Sequence, residues 1–244
     1  NWGDETYSGS LAACVVFQPE YPEGFSTRVL LQRGVIVMDD SVWHVDPSTV
    51  FMKGKEVEIK DFSVRHGDES FMVTGKISED PYETLTVQLE NFNLGYLARL
   101  ALKKNMKLFG MTSGSLTLKD YYNDGLLLSD FTVNDWGVGR DTLGSLQFHS
   151  YWDADNRNLI VGAENRMKGE VALSVDGLYN PRTDSINVNM LMEKMQLERL
   201  SSYITDMTSE VKGGLSGNLA LKGTVKQPDV SGMIVLDSVG VKVN

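Results

Sequence analysis

Apolar and polar residues alternate along most of this chain with a period of two. The clearest stretch is 213–232, where four alternate positions are apolar: Leu215, Leu219, Leu221 and Val225. This alternation is typical of β-strands that have one apolar face. Glycines interrupt the stretch and Pro228 follows a Lys-Gln pair, so the pattern predicts short strands that soon reverse direction.

Nearly the same pattern occurs earlier, in GMTSGSLTLK at 110–119. Four residues of this segment return 103 positions later: Gly114, Leu116, Leu118 and Lys119 match Gly217, Leu219, Leu221 and Lys222. A pattern that returns at fixed spacing predicts a chain built from repeated units of about 100 residues.

Each unit is predicted to contain strand, turn, strand, bulge, short helix and two further strands. The apolar phase slips by one residue at Asp61 and again before Phe92, which indicates β-bulges. In the second copy, we expect Ile186, Val188 and Met190 to correspond to Leu85, Val87 and Leu89 of the first.

Two segments have a helical period instead. Residues 94–104 place Leu97 and Leu100 on one face, and residues 197–207 carry a longer stripe of Leu197, Leu200, Ile204 and Met207. These spacings predict two short amphipathic helices.

The predicted fold class is therefore all-β with two short amphipathic helices. We expect an elongated repeat of antiparallel or curled strands, forming either a trough or a sandwich. The predicted segments are a partial repeat at 1–97, a second repeat at 98–200 and the start of a further one at 201–244, in one continuous domain.

Composition narrows the classes of function. The net charge of −10 argues against capture of nucleic acid or an anionic membrane by a basic surface. The single cysteine, Cys14, excludes an internal disulfide framework. The chain does not begin with Met and ends within an alternating stretch, so we expect it to be an internal segment of a longer protein.

No pattern in the sequence indicates an enzyme, a metal or a cofactor. His44, His66 and His149 lack further ligands at zinc spacing. The acidic stretch at 153–158 lacks the glycine and glutamate of a calcium loop, so it is predicted to be a hairpin turn. Gly137 and Gly139 lack the strand–helix context of a dinucleotide loop, and they too predict a turn.

The motif GxLSGxLxLxGTxxxPxVxG at 213–232, and the stretch 57–94 with VEIKDFSV, SFMVTGKI and LTVQLENFNL, resemble the repeats of the translocation and assembly module B (TamB) proteins of the AsmA-like superfamily. The resemblance implies a periplasmic bridge that is anchored in the inner membrane and works with an outer-membrane assembly protein. It further implies a lengthwise β-trough with an apolar interior, which carries phospholipid acyl chains passively and serves outer-membrane biogenesis.

The alternating apolar residues are the candidates for the lining of such a groove. They are Val57, Ile59, Phe71, Val73, Leu85, Val87, Leu89, Leu116, Leu118, Val171, Leu173, Ile186, Val188, Leu219 and Leu221.

Two alternatives remain open at this point. The same residues could form the closed core of a structural or adhesive β-repeat that binds a protein or glycan partner. A polysaccharide-acting enzyme would instead require clustered acids in a cleft. We expect Val87→Arg or Leu219→Arg to block lipid passage and leave the fold largely intact if the groove is open.

Overall fold

The computed structural model describes residues 2–3, 7–19, 24–38, 40–96, 108–200 and 210–242. These residues confirm the all-β prediction, because they form an open antiparallel sheet of 18 strands. The strands are β1 (Trp2–Gly3), β2 (Tyr7–Ser10), β3 (Ala13–Pro19), β4 (Phe25–Leu31), β5 (Gly34–Met38), β6 (Ser41–Val45), β7 (Ser48–Lys53), β8 (Glu56–His66), β9 (Glu69–Ile77), β10 (Thr84–Asn93), β11 (Leu108–Lys119), β12 (Leu126–Val138), β13 (Asp141–Asp153), β14 (Asn158–Met167), β15 (Glu170–Asn180), β16 (Ser185–Gln196), β17 (Glu210–Thr224) and β18 (Pro228–Lys242).

The chain divides into two compact units. Unit 1 comprises Asn1–Phe92 and Ser113–Leu128, and unit 2 comprises Asn93–Thr112 and Ser129–Asn244. The three segments expected from the repeat remain a prediction. They follow from the 103-residue period of the sequence, whereas these two units follow from contacts between residues.

In unit 1 the long strand β8 pairs differently along its two halves. Its first half pairs with β7, which continues to β4 and β3. Its last residues pair with β6, which continues to β5, β2 and β1. On the other side, β8 pairs with β9, and β9 pairs with β10. The sheet therefore branches where β8 bends.

Unit 2 is a simple meander. Each strand from β12 to β18 pairs antiparallel with the next strand in the sequence. The predicted turns at 153–158 and at Gly139 are confirmed as the hairpin connections at either end of β13.

The predicted bulges are confirmed. The β8–β9 register shifts between Ile59 and Phe62, and Asp61 between them has φ 54°. Asn91 has φ 43°, and its counterpart 103 positions later, Lys194, has φ 47°. An extra residue in the left-handed region bends a strand and moves the following side chains to the other face.

The repeat is confirmed at atomic level, with one correction to its alignment. The backbone N–H of Asn91 donates to Ser113 Oγ at 3.0 Å, and that of Lys194 donates to Ser216 Oγ at 2.9 Å. Each of these pairs is separated by 22 positions, so the 103-residue offset holds across the bulge.

The expected correspondence of Ile186, Val188 and Met190 with Leu85, Val87 and Leu89 is wrong by two residues. Gly75 lies opposite Leu85, whereas the equivalent Gly177 lies opposite Val188. Val188, Met190 and Met192 therefore occupy the places of Leu85, Val87 and Leu89. The loop before β16 (181–184) is two residues shorter than the loop before β10 (78–83), so an alignment that matches the ends of the two loops misplaces β16 by two residues.

The expectation of short strands around the glycines is also wrong, because β17 and β18 each contain 15 residues. Gly217 and Gly232 lie inside these strands. A Cβ at Gly232 would lie 2.1 Å from the carbonyl oxygen of Asn218, and its φ is 142°. These glycines allow two backbones to approach closely and do not end the strands.

The prediction of two amphipathic helices needs correction. The described residues contain one 3-10 helix, Leu197–Leu200, and a helical turn at 94–96. The remaining residues of both predicted helices, including Ile204 and Met207, lie outside the described residues. Within the described part, β10 and β16 are each followed by a short helical turn. Tyr96 is buried in the first turn and Leu197 in the second.

Candidate functional site

One face of unit 2 is mostly apolar, and its side chains lie in rows that cross the strands. We call it the apolar face of unit 2. The central row contains Phe131, Phe148, Ala163, Val175, Met190, Leu219 and Gly232. The rows on either side contain Ser129, Ser150, Val161, Gly177, Val188, Leu221 and Val230, and Val133, Leu146, Asn165, Leu173, Met192, Gly217 and Ile234.

Most of these side chains are half-buried, a state that differs from that of a closed core. β16 shows a regular alternation of half-buried and exposed residues along its first nine positions. Phe148, in the central row, is 37% exposed. Neighbouring rows thus shield one another in part, and the face remains partly exposed to solvent.

Where a row contains a glycine, the neighbouring side chains of the same row cover the gap. A Cβ at Gly177 would lie 2.9 Å from Val188 Cγ2 and 3.0 Å from Val161 Cγ2. The two valines therefore cover the glycine, and the apolar row continues across it.

At one end of the same face, a buried amide links three strands. Asn165 is 2% exposed; its Oδ1 accepts from Trp136 Nε1 at 2.7 Å, and its Nδ2 donates to the carbonyl of Leu143 at 3.0 Å. Val133 and Leu143 are buried beside it. This end of unit 2 is a closed core in which the Asn165 amide has hydrogen-bond partners for both its oxygen and its nitrogen.

Unit 1 has an equivalent apolar face. Its main row contains Val15, Val29, Val50, Ile59, Gly75 and Leu85. Beside it lie Phe17, Thr27, Met52, Val57 and Ile77, and then Phe62, Val73 and Val87. Val57, Ile59, Leu85 and Val87 are half-buried, as in unit 2.

An aromatic cluster closes one end of this face. The rings of Trp43 and Phe92 are 5.4 Å apart, and those of Phe71 and Phe92 are 6.0 Å apart. Trp43 is fully buried, and Leu89 is 4% exposed. The face of unit 1 therefore changes from a closed core at the cluster to a half-open surface towards β3.

A hydrogen bond between two threonines shows which face of β11 is polar. Thr86 Oγ1 and Thr117 Oγ1 are 3.1 Å apart, so these two residues share the polar face. Because side chains alternate along a strand, Leu116 and Leu118 lie on the same face as Leu85 and Val87.

The opposite faces are more polar. In unit 2 one row contains Gln147, Glu164 and Ser174 and continues to Leu191, and another contains His149, Asp176 and Asn189. In unit 1, Lys76 Nζ lies 3.1 Å from Glu56 Oε1 and 2.9 Å from Glu83 Oε1. Both units thus have one apolar and one polar side, as the alternation predicts.

Hydrogen bonds shift a few ionisation equilibria on the polar side. The hydroxyl of Ser78, which donates to Glu83, and the ammonium of Lys76 lower the pKa of Glu83. Hydrogen bonds from Asn156 and Asp155 lower the pKa of Asp153 in the turn after β13. This turn is held by its own carboxylate, which agrees with the predicted hairpin.

Tyr179 lies on the apolar face of unit 2, where it pairs with Leu159 and Ile186, and its pKa is shifted. Burial raises its pKa, and the nearby carboxylate of Asp184 acts in the same direction. Both effects favour the uncharged phenol, which is the form that suits an apolar surface.

The structure places fourteen of the fifteen predicted lining residues on one of these two apolar faces. The prediction for Val171 is wrong, because a register shift in β15 pairs it with Arg166 and turns its side chain to the other face of unit 2. Val73 and Leu89 are buried, and the other thirteen are half-buried. In unit 2 the apolar face also contains residues that are not among the predicted lining residues: Phe131, Phe148, Val161, Ala163, Val175 and Met190. They alternate with polar residues as the predicted lining residues do, so the same period-two signal identifies them.

Two of the three histidines contact aromatic neighbours. His66 Nδ1 lies 2.9 Å from the carbonyl oxygen of Val42, and its ring packs 5.4 Å from that of Trp43. His149 stacks on Tyr151. Among the described residues, no group of three or more His, Cys, Asp or Glu side chains is placed to hold a metal ion.

A search of the described residues for helices that are long and apolar enough to cross a bilayer found none. Comparisons with protein-family models, curated proteins and solved structures gave no match. The fold and the apolar faces are thus the observations from which function can be argued.

Proposed function

We propose that the apolar faces bind the acyl chains of phospholipids and let them move along the sheet. The observation that carries this proposal is the half-buried state of the cross-strand apolar rows. A row of the unit 2 face crosses seven strands, β12 to β18, which is roughly 29 Å at the usual strand spacing. One lipid tail spans only about half of a ~30 Å bilayer core, so a row is long enough to seat it.

The energetic advantage is large and needs no specific contact. Each CH₂ group removed from water gains about 0.8 kcal/mol, so a tail of ~16 carbons gains more than ~10 kcal/mol. Successive rows present similar aliphatic surfaces, so the binding free energy of a tail changes little from one row to the next. A tail can therefore move between rows. The resemblance to TamB-like repeats supports placing this activity in the periplasm, within a protein that bridges the inner and outer membranes and serves outer-membrane biogenesis.

The closed end of unit 1 favours a second candidate, a purely structural or adhesive repeat. Trp43, Phe71 and Phe92 there form an ordinary aromatic core. If that packing extended over the whole face, the chain would be a scaffold that binds a protein or glycan partner, with no path for lipid.

Paired charge substitutions separate the two functions. Photocrosslinkers at Val87 and Leu219 are expected to capture phospholipid, identified by mass spectrometry of the adduct. Leu219→Arg and Val87→Arg should reduce capture at neighbouring positions about tenfold or more, because a buried guanidinium opposes an acyl chain. The matched controls are Asn218→Arg and Gln88→Arg, which lie next in sequence on the exposed polar side.

Folding must be measured on the same variants by urea denaturation. Capture lost by the apolar-face variants, with unfolding midpoints close to those of the controls, supports an open lipid face. Equal loss of stability and of capture in the apolar-face variants alone would instead identify a closed core.

A further inference from the structure

The apolar face of unit 1 borders an ion pair where β8 begins and β9 ends. Val57 and Ile77 lie opposite each other in the last apolar row, and both are half-buried. Lys55 precedes Val57 by two residues and Glu79 follows Ile77 by two. Lys55 Nζ lies 2.6 Å from Glu79 Oε1, so this pair continues the register of the row by one step. The surface therefore changes from hydrocarbon to paired charges within two residues.

Two tyrosines from the turn between β11 and β12 pack against this ion pair. Tyr122 Oη donates to the carbonyl oxygen of Lys55 at 2.7 Å, and Lys55 Nζ lies 5.3 Å from the centroid of the Tyr122 ring. The ring of Tyr121 packs edge-on at 5.0 Å from that of Tyr122 and remains 52% exposed. Tyrosine and lysine combine an apolar body with a polar tip, and tyrosine is enriched where hydrocarbon meets water in membranes.

The charges of the ion pair remain accessible to a ligand. The side chains of Lys55 and Glu79 are 61% and 71% exposed. The hydrogen bond with Glu79 raises the pKa of Lys55, which favours the charged ammonium. An ammonium has three donors and a carboxylate has two acceptor oxygens, so each group keeps free hydrogen-bonding positions after it pairs with the other. A ligand with one negative and one positive group complements both.

We propose that Lys55, Glu79 and Tyr122 bind the headgroup of a zwitterionic phospholipid whose tail lies on the adjoining apolar row. This inference rests on the proposed function and names the class of lipid. The phosphate accepts hydrogen bonds from Lys55, and the ammonium lies against the Glu79 carboxylate and the Tyr122 ring. An anionic headgroup without an ammonium would place its charge beside Glu79 with no compensating contact, and like charges in contact discriminate against such a ligand.

Photocrosslinking at Val57 tests the preference, because Val57 lies next to the ion pair. The intact chain is mixed with vesicles that contain equal amounts of phosphatidylethanolamine and phosphatidylglycerol with identical acyl chains. Mass spectrometry then counts the two adducts. Phosphatidylethanolamine adducts should exceed phosphatidylglycerol adducts about two- to fivefold, the range expected for an exposed ion pair.

Charge variants of the same chain assign this preference to the ion pair. Glu79→Lys should reverse the preference, because two ammonium groups favour the anionic lipid. Lys55→Glu combined with Glu79→Lys should restore it, since one charge of each sign is again present. Glu58→Lys is the matched control: it makes the same change of charge in β8, but Glu58 lies on the opposite face, beside Lys60 at 3.3 Å. It should leave the preference unchanged.

The outcomes separate this inference from the acyl-chain proposal. Equal adducts of both lipids at Val57, with capture retained at Leu219, would overturn the headgroup site alone. The same conclusion would follow if Glu58→Lys acted like Glu79→Lys, or if the exchange of charges did not restore the preference. Adducts confined to chains that float with the vesicles would identify a bilayer surface as the occupant and contradict a seated lipid. No adducts at either Val57 or Leu219 would contradict the proposed function itself, and the headgroup site with it.

Discussion

At the scale of single residues, the repeat depends on a few polar contacts. Ser113 and Ser216 each accept the N–H of a bulged residue on the neighbouring strand. The bulge removes that N–H from the ladder, so a hydroxyl at this position satisfies a donor that would otherwise lack a protein partner. The serine is therefore part of the bulge motif, as much as the residue with positive φ.

Glu83 provides a pH prediction at this scale. Its pKa is lowered by the Ser78 hydroxyl and by Lys76, so the folded state binds its proton less readily than the unfolded chain. The stabilisation is fully present above the ordinary glutamate pKa, about 4.3, and is lost as the pH falls through the lowered value. Glu83→Gln should lower the free energy of unfolding at pH 7, and the difference from wild type should vanish in strong acid.

Urea denaturation at a series of pH values measures this difference. Glu79→Gln is a suitable comparison, since Glu79 pairs with Lys55 on the exposed surface of the same unit. A Glu83→Gln deficit that stays constant down to pH 2 would show that the carboxylate charge is not the cause.

At the scale of elements, glycine decides how closely two long strands can approach. Gly232 has φ 142°, and a Cβ there would lie 2.1 Å from the Asn218 oxygen. Gly240, in the same strand, has no atom within 4 Å of its added Cβ. Gly232 is therefore required for β17 and β18 to pair closely. Gly240 has no such steric constraint, so it serves as the matched control.

Gly232→Ala should therefore lower the stability of the β17–β18 pair by about 1–3 kcal/mol, and Gly240→Ala by much less. Hydrogen exchange of the β18 amides reports this locally. Similar exchange in the two variants would mean that the strands can separate slightly without losing their ladder.

At the scale of the whole molecule, each unit combines a closed core with a half-open apolar face. Unit 1 has its core at Trp43 and Phe92, and unit 2 has its core at Asn165, Val133 and Leu143. A closed end supplies stability, while the rows beyond it need not be covered for the unit to fold. The proposed lipid function depends on this division.

Trp43→Ala tests the division. Removal of a fully buried indole should lower the free energy of unfolding by about 3–5 kcal/mol. Lipid capture at Leu219, in the other unit, should persist under conditions where the variant remains folded. Loss of capture at Leu219 from a chain that circular dichroism shows to be folded would contradict independent faces.

The sequence by itself determined the class of fold and the identity of the apolar faces. Period-two alternation specifies a strand with one apolar side regardless of what covers it, so Val57, Ile59, Val188 and Leu219 could be assigned to a face without coordinates. The slip at Asp61 likewise predicted a bulge, because an extra residue must reverse the phase.

Only the tertiary structure decided how far each face is covered and which strands pair. Val73 and Leu89 alternate like Val57 and Leu85, yet the first two are buried and the others half-buried. Burial depends on neighbours brought from distant positions, here the Trp43 cluster, and periodicity contains no information about them. For the same reason the sequence wrongly predicts strand ends at Gly217 and Gly232, because each of these glycines lies against a carbonyl oxygen of the neighbouring strand.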